Sequence, residues 1–270
     1  MNSPVTTTPY EVYALRYASR VDLSASENFY RYELYDEPDG SLRMDYFFWL
    51  LRNADRTVLV DCGYSPERAA ERDRPIDVHP IDLLARFDVN PADVDHVVLS
   101  HMHFDHVGNV GLFPNATFSM ARAELDFWTG RYSDRPCIRW AVASAEVEAV
   151  SDLARQGRLY LVDQPSEELF PGIRLTRLAG HTPGQLITEI TTETGQVVLA
   201  SDAIHFYDEM QLDRPFHIFT DIEGMYRTYE ELRNLAARPG TTVVAGHDHA
   251  VMTLFEPVDQ DCVDLTRRRQ

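Results

Sequence analysis

Four potential metal ligands within six residues constrain this chain more than any other part of its sequence. They belong to the segment His101-Met102-His103-Phe104-Asp105-His106. Imidazole nitrogens and carboxylate oxygens suit zinc and similar divalent metals. Residues 94–100, just before the segment, form an apolar run that predicts a buried strand, and active-site loops commonly follow such strands. This density of ligands predicts a metal site, which we favour over a polar loop of unrelated histidines.

Three more potential ligands, His181, Asp202 and His247, each follow a strand-like run. Because strand ends can meet at one edge of a sheet, we expect these side chains to converge with the first segment. Gly180 and Gly246 directly precede the two histidines, and glycine lets neighbouring backbone approach closely. The sequence therefore predicts one site with ligands from both halves of the chain.

The hydrophobic patterns predict strands in two groups. The first group covers residues 10–18, 42–51, 56–61, 94–100 and 116–120. The second covers residues 173–178, 185–192, 196–201 and 241–245, the last clear strand. Helices are predicted at residues 81–87, 121–128 and 140–156, and after residues 220–223, which match a capping box.

These patterns favour an α/β fold. If each group of strands forms one sheet and helices cover the outer faces, the result is a four-layer αββα sandwich. No low-complexity segment or Gly/Ser linker interrupts the alternation, which predicts one compact domain over residues 1–270.

The composition excludes several classes of partner. The net charge is −18, from 43 acidic and 25 basic residues, and such a chain repels phosphate backbones and anionic membranes. We therefore expect no nucleic-acid and no membrane partner. A monomer or a homodimer is expected, and the charge does not choose between them. Cys62, Cys137 and Cys262 form no C-x-x-C pair, and residues 1–6 lack the basic and apolar regions of a signal peptide. Both features favour a cytoplasmic location.

The order of the motifs resembles the metallo-β-lactamase fold superfamily. The H-x-H-x-D-H segment is followed by residues 180–184 (GHTPG), by Ser201-Asp202 at a strand end and by Gly246-His247-Asp248. Residues 58–63 (VLVDCG) are similar to the early "DTG"-type loop of that family, with Cys62 at the usual threonine position. The resemblance runs from Asp61 to His247 and implies an αββα fold with two metal ions.

The resemblance also implies a role for each ligand. His101, His103 and His181 would hold the first metal, and Asp105, His106 and His247 the second. Asp202 would bridge the two, while Asp61 would support the site from behind. The implied cofactors are two divalent ions per chain, zinc first, with iron, manganese or cobalt as alternatives. Such a pair would share a bridging water and lower its pKa, and the hydroxide formed would attack a carbonyl carbon. Asp105 could also shuttle a proton.

The superfamily includes β-lactamases, phosphodiesterases, nucleases, glyoxalase-type thioesterases and lactonases. Chain length, the N-terminal meander and the closing Gly246-His247-Asp248 look most like the N-acyl homoserine lactonase branch, which opens the lactones of bacterial signals (quorum quenching). The resemblance thus implies a metal-dependent hydrolase with a small lactone or carboxylic ester as substrate. A glyoxalase-type thioesterase or a phosphodiesterase is the alternative. The acidic charge and the absence of a basic cluster beside the motifs disfavour phosphate substrates.

One position departs from that branch. Its members commonly carry a tyrosine three residues after the bridging aspartate, where it contacts the substrate carbonyl. Here that position is His205, and Tyr207 lies two residues further on. Either side chain could donate that hydrogen bond, and both are candidate catalytic residues beside Asp105. The aromatic residues of the segment 205–219 are expected to wall an apolar substrate pocket or to pack in the core.

Overall fold

The computed structural model describes residues 8–269, so the N-terminal residues 1–6 that were searched for a signal peptide lie outside the described range. Within that range the chain forms strands β1 (Glu11–Ser24), β2 (Ser41–Arg52), β3 (Thr57–Val60), β4 (His96–Val98), β5 (Thr117–Ala121), β6 (Leu159–Val162), β7 (Ser166–Phe170), β8 (Ile173–Arg177), β9 (Leu186–Thr192), β10 (Gly195–Ser201), β11 (Thr241–Ala245), β12 (Phe255–Pro257) and β13 (Cys262–Arg268).

Helices connect and cover these strands. They are α1 (Ala25–Asn28), α2 (Pro66–Glu71), α3 (Pro80–Ala85), α4 (Phe104–Val107), α5 (Arg122–Trp128), α6 (Pro136–Arg139), α7 (Ser144–Arg155), α8 (Tyr207–Leu212), α9 (Ile222–Ala236) and α10 (Ala250–Leu254), with 3-10 turns at Tyr32–Tyr35, Pro91–Asp93 and Val110–Leu112. Across residues 8–269, none of the helices has the length and apolar character needed to cross a membrane.

The strands form two sheets. The first has eight strands in the order β12-β13-β1-β2-β3-β4-β5-β6, and the second has five in the order β11-β10-β9-β8-β7. The pairs β1/β2 and β2/β3 are antiparallel, which confirms the predicted meander. From β3 to β6 the first sheet is parallel, and helices of the intervening segments cross over its outer face.

Strand β2 shows how the layers arise. Its residues alternate between two cores, because successive side chains of a strand point to opposite faces. Phe47 and Trp49 pack in the core between the sheets, where they meet Leu175 of the second sheet. Phe48 and Leu50 point the other way, into the core beneath the helices that cover the first sheet.

Strand β10 repeats this alternation in the second sheet. Val197 and Leu199 belong to the core between the sheets, whereas Val198 faces outward and packs in a third cluster with Met225 and Tyr229 of α9. The architecture is therefore helix, sheet, sheet, helix, and the predicted four-layer αββα fold is confirmed.

The prediction that residues 241–245 form the last strand is wrong. The C-terminal segment forms β12 and β13, and β13 pairs with β1, so the first sheet contains strands from both ends of the chain. Arg267 and Arg268 belong to the end of β13, and their side chains are exposed. The short β6 and β7 were also not predicted. Both are partly exposed edge strands, whose apolar signal is weak.

Two helix predictions need correction. The helix predicted at residues 140–156 is shorter in the structure, where α7 runs from Ser144 to Arg155. The capping box at residues 220–223 does not form. Asp221 is the N-cap of α9, without a side-chain cap, and the Thr220 hydroxyl donates instead to the Gly180 carbonyl oxygen at 3.1 Å. This bond ties the start of α9 to the glycine beside His181.

Candidate metal centre

The ligand residues predicted from the sequence lie together beyond the ends of their strands. His101 follows β4, His181 follows β8, Asp202 follows β10 and His247 follows β11. Because β10 and β11 are parallel neighbours, their carboxyl ends meet at the same edge. All seven predicted ligands are buried.

A first group consists of His101, His103, His181 and Asp202, each offering one atom within 4.8 Å of the others. The Nε2 atom of His181 lies 2.9 Å from Nδ1 of His103 and 3.2 Å from Nε2 of His101. Three imidazole nitrogens that face one another so closely suit a shared cation, which accepts all three lone pairs.

A second group consists of Asp105, His106 and His247, again with one ligand atom each within 4.8 Å. The Oδ2 atom of Asp105 lies 3.7 Å from Nε2 of His106 and 3.7 Å from Nε2 of His247. This group lies in the short helix α4 and after β11, so it joins the two sheets.

Asp202 faces both groups, with a different oxygen toward each. Its Oδ1 atom lies 3.3 Å from Nε2 of His106 and 3.1 Å from Nε2 of His247. Its Oδ2 atom lies 3.3 Å from Nε2 of His181 and 3.7 Å from Nε2 of His101. This is the geometry expected of a carboxylate shared by two cations.

In four of the five histidines, the ring nitrogen that points away from the two groups has a polar partner, which fixes the ring. The Nδ1 contacts are His101 with the Ser100 hydroxyl at 3.0 Å, His106 with Asp61 Oδ2 at 2.7 Å, His181 with the Ile218 carbonyl oxygen at 2.9 Å, and His247 with the Asp45 carbonyl oxygen at 2.8 Å. Such partners orient metal-binding imidazoles and raise their basicity.

Asp61 lies behind His106, as the resemblance implied. Its carboxylate also accepts hydrogen bonds from the backbone amide and the hydroxyl of Ser100, both at 2.8 Å, and from the Ser201 hydroxyl at 3.2 Å. Asp61 and Ser201 have positive φ values of 60° and 46°, uncommon for residues other than glycine. Such backbone conformations cluster at functional sites, where the surrounding contacts hold them in place.

The donor set fits divalent metal ions. Nε2 of His106 and Oδ1 of Asp202 are buried and 3.3 Å apart, but neither is aligned for a hydrogen bond with any described residue, a costly arrangement unless a cation binds there. Burial lowers the pKa of His101 and His181 well below the usual range, so these imidazoles are neutral and able to bind a metal. Burial opposes a charge on His106 as well, but Asp202, Asp61 and Asp105 outweigh it and raise its pKa, so this cluster of carboxylates attracts a cation.

Close backbone packing supports the two histidine-bearing loops. A Cβ atom on Gly246 would lie 2.5 Å from the Ser201 carbonyl oxygen, and one on Gly180 would lie 2.7 Å from the Met225 amide nitrogen. Any other residue would push these loops apart. The predicted role of both glycines in close approach is therefore confirmed.

Glu124, which the sequence did not single out, holds the two metal-binding loops together. Its buried carboxylate accepts hydrogen bonds from the amides of Met102 and Gly184, both at 2.9 Å, and from Nε1 of Trp128 at 2.7 Å. Met102 lies between the first two histidines, and Gly184 lies three residues after His181.

His205 lies at the site, next to Asp202. Its Nε2 atom is 3.1 Å from Oδ2 of Asp202, and its ring stacks on Phe216 with 3.9 Å between the ring centres. Its Nδ1 atom lies 3.2 Å from Oε1 of Glu209. Burial lowers the pKa of His205, but the negative charges of Asp202 and Glu209 outweigh that effect and raise it to about 9.

Glu209 is fully buried and fixes the segment around His205. Its carboxylate accepts hydrogen bonds from the amides of His205, Phe206 and Phe216 and from the Tyr229 hydroxyl. The sequence offers no motif that marks this glutamate. The four-residue spacing from His205 was its one available signal.

Tyr207 lies away from the site, at the start of α8. Its hydroxyl contacts the Val243 carbonyl oxygen at 3.3 Å, and its amide donates to Asp248 Oδ2 at 3.0 Å. Its ring packs against two of the apolar cores. The hydroxyl is therefore already engaged with the backbone of β11, and Tyr207 does not meet the other candidate catalytic residues.

A cavity of about 240 Å³ opens onto both ligand groups. Its lining includes the ligands His103, Asp105, Asp202 and His247, together with His205. Of the aromatic residues in the segment 205–219, Phe216 lines this cavity, whereas Phe206 packs in the core and Phe219 packs on Tyr30. The remaining lining residues are Arg20, Leu23, Glu27, Asn28, Met44, Tyr46, Arg74, Phe104, Trp140, Ala141, His217 and Ile218.

The sequence is similar to those of known proteins. The model of the metallo-β-lactamase superfamily matches residues 45–247. An N-acyl homoserine lactonase AttM of Azorhizobium caulinodans is 33% identical over 172 residues, which cover 59% of this chain and 60% of that relative. An N-acyl homoserine lactonase AttM of Rhizobium johnstonii is 27% identical over 233 residues, which cover 77% of this chain and 84% of that relative.

Solved structures share the fold at lower sequence identity. The dizinc quorum-quenching lactonase AidC, solved with a reaction product, superposes with a TM-score of 0.72 at 19% identity, covering 91% of this chain and 90% of that one. This likeness supports the fold. The family match includes Asp61 and both ligand groups, which extend from His101 to His247. The chain belongs to the metallo-β-lactamase superfamily.

Proposed function

We propose that the protein is a hydrolase that uses two divalent metal ions to open a lactone or cleave a carboxylic ester. The observation that carries the proposal is Asp202, whose two oxygens lie 3.1 Å from His247 and 3.3 Å from His181, one oxygen toward each ligand group. In this proposal Asp202 bridges the ions, and the other six ligands divide between them as the family pattern implies.

We infer that the ions are zinc. Five imidazole and two carboxylate ligands form a donor set that zinc accepts well, although iron, manganese and cobalt accept it too. The zinc assignment draws on AidC, which is a dizinc lactonase. Two such ions, when bound, lower the pKa of a water molecule and polarise the carbonyl of the substrate.

The residues of the chain position and hold the substrate. His205 faces the cavity beside Asp202, and Glu209 fixes its ring through Nδ1. His205 is therefore our candidate donor to the substrate carbonyl, in preference to Tyr207, whose hydroxyl contacts the Val243 carbonyl oxygen. Asp105 lines the cavity and can hold a proton as well as bind metal.

The assignment of lactones as the substrate class rests on the relatives and on the apolar part of the cavity lining. Both N-acyl homoserine lactonases named above act on a cyclic ester with an acyl chain. Apolar side chains line part of the cavity here, among them Leu23, Met44, Phe216 and Ile218. They could hold the carbon chain of an acyl group while the ester reaches the metals.

The described cysteines support a cytoplasmic location. Cys62, Cys137 and Cys262 are all free, and Cys137 is exposed, which suits a reducing compartment. We infer one catalytic domain over residues 1–270, acting as a monomer or homodimer.

A substrate panel tests the proposal. Metal-loaded protein is assayed with N-acyl homoserine lactones of increasing chain length, a carboxylic ester, a thioester, a β-lactam and a phosphodiester. We expect the highest kcat/KM among the lactones or esters, with a gain as the acyl chain becomes more apolar. An Asp202→Ala variant purified in the same way measures the activity of any contaminating hydrolase. The matched control is Asp208→Ala, which changes an exposed aspartate nearby.

The panel also separates the alternatives. Phosphodiester turnover above every lactone and ester would contradict the proposal and favour a phosphodiesterase. Cleavage of the thioester alone would favour a glyoxalase-type thioesterase, with the metal centre retained and the lactonase assignment lost.

A further inference from the structure

The cavity contains positive charge that the sequence did not predict. Its arginine and carboxylate side chains, apart from the candidate ligands Asp105 and Asp202, are Arg20, Arg74 and Glu27. The two arginines come from β1 and from the segment after α2, far from the metal motifs along the chain. No basic cluster lies beside the motifs in the sequence, but folding brings two arginines into the lining of the cavity. Once the two candidate ligands are set aside, the lining has two guanidinium groups and one carboxylate, although the net charge of the protein is −18.

Arg74 has no acidic partner in the part of the chain that the structure describes. Among residues 8–269, no carboxylate oxygen lies within 4.0 Å of its guanidinium, whereas Arg20 has Asp22 at 3.5 Å. Instead, Nη1 of Arg74 donates to the Tyr46 hydroxyl oxygen at 2.6 Å. Arginines that serve only stability are usually paired or fully solvated, yet Arg74 is partly buried. Its charge is thus available to a ligand in the cavity.

Tyr46 connects Arg74 with the metal centre. Its ring lies 5.1 Å from the His247 ring and 5.9 Å from the Arg74 guanidinium carbon, measured between centres. The Tyr46 oxygen accepts from Arg74, so its own proton remains for a further acceptor. Burial raises the pKa of this phenol above its usual range and keeps that proton in place. Arg74 and Tyr46 together present two kinds of donor to one region of the cavity.

The neighbouring Arg72 differs from Arg74 in its contacts. Arg72 stacks on the Phe104 ring at 4.0 Å and donates to the Trp140 carbonyl oxygen. It does not line the cavity, and its role in holding the metal-binding loop is sufficient to account for it. Arg74 lies further from the same ring, at 5.3 Å, and does face the cavity.

We propose that Arg74 and Tyr46 form a subsite for a carboxylate carried by the substrate, at a distance from the ester that is cleaved. This proposal rests on the proposed hydrolase function and narrows its substrate class to lactones or esters with an acidic substituent. The apolar lining, including Met44 and Phe216, contacts the carbon chain between the ester and the carboxylate. A guanidinium and a phenol can both donate to one carboxylate, and such charge-assisted hydrogen bonds are the strong ones.

Binding of simple acids tests the subsite without any turnover. Titration calorimetry on the metal-loaded protein compares hexanoate with adipate, which has the same carbon number and a second carboxylate. We expect adipate to bind about tenfold more tightly, since one charge-assisted hydrogen bond contributes about 1.5 to 3 kcal/mol. Arg74→Met should abolish this difference and leave hexanoate binding unchanged.

Three control variants separate recognition from packing. Arg74→Lys keeps the charge but not the planar fork, so it should keep part of the difference. Tyr46→Phe removes the second donor and should reduce the difference without abolishing it. Arg227→Met changes an exposed arginine of α9 and should leave it intact. Equal affinities for the two acids in the wild type, or a difference that survives Arg74→Met, would overturn the subsite.

Turnover then separates the subsite from the hydrolase proposal. N-hexanoyl homoserine lactone is compared with its analogue that carries a carboxylate at the end of the acyl chain. We expect kcat/KM to favour the acidic lactone about tenfold, through KM, and this preference to vanish in Arg74→Met. If neither lactone is cleaved while adipate is still preferred, the subsite stands and the lactonase proposal fails. Equal cleavage of both lactones would leave the hydrolase standing and overturn the subsite.

Discussion

The two walls of the cavity are built in different ways. The metal-facing wall takes four ligands from six consecutive residues, and hydrogen bonds from behind fix most of its imidazole rings. The rest of the lining, the substrate wall, collects Arg74, Tyr46, His205 and Phe216 from separate segments of the chain. Metal binding dictates residue type and spacing, whereas substrate binding only requires suitable chemistry at the surface of a cavity. We therefore expect the metal wall to tolerate little change and the substrate wall to set specificity.

The largest effect is expected from Asp202→Ala, because this carboxylate faces both ligand groups. Turnover should fall by about a thousandfold or more, since the polarising effect of the metals contributes several kcal/mol. Steady-state kinetics after purification without chelator measures the loss. A smaller loss than in His101→Ala, which removes a ligand from one group alone, would show that the two groups are not linked through Asp202.

On the substrate wall, His205→Ala should lower turnover by about ten- to a thousandfold while the metal content stays the same. The reason is the loss of one positioned donor beside Asp202. Tyr207→Phe is the matched comparison and should change turnover little, because its hydroxyl contacts the backbone of β11. Steady-state kinetics and metal analysis on the same samples measure turnover and metal content for both variants. A loss in Tyr207→Phe that equals the loss in His205→Ala would reverse this assignment.

Behind the metal wall, Asp61→Asn should weaken metal binding about ten- to a hundredfold, the usual effect of removing a partner of a ligating imidazole. The ion held by His106 should leave first, because Asp61 contacts that ring directly at 2.7 Å. Competition with a chelator measures the affinity of each ion, and thermal unfolding of the metal-free variant reports any general loss of stability. Uniform loss of both ions would mean that Asp61 supports the fold of the site and not one ligand group.

The smallest effect is expected from Glu209→Gln, which keeps the shape of a side chain that fixes His205. Turnover should fall less than in His205→Ala, because the ring remains present, although glutamine loses the charge behind the ring and keeps only one of the two accepting oxygens. A drop in kcat with little change in KM would identify a positioning role. A lower thermal midpoint with unchanged kcat would instead assign Glu209 to stability alone, through its bonds with Tyr229 and Phe216.

The same contrast explains what could be predicted from the sequence. The metal site was predictable because four of its ligands lie within the contiguous motif His101 to His106. The αββα layers were predictable because the sequence contains two groups of apolar strands with helices between them. Arg74 and Glu209 follow no motif, because their roles depend on neighbours that only the fold brings together. Strand β13 was missed for a related reason. Its arginine-rich end is polar, and the segment becomes part of the sheet only because residues 262–264 pair with β1 and Arg268 pairs with β12.

Metal stoichiometry tests the central claim most directly. Elemental analysis of wild-type protein, purified without chelator and dialysed against metal-free buffer, should give close to two transition-metal ions per chain. Asp202→Ala should retain fewer ions than any single histidine variant, and the exposed Asp208→Ala should match the wild type. One ion or none in the wild type, or two ions retained by Asp202→Ala, would contradict a dinuclear centre bridged by Asp202.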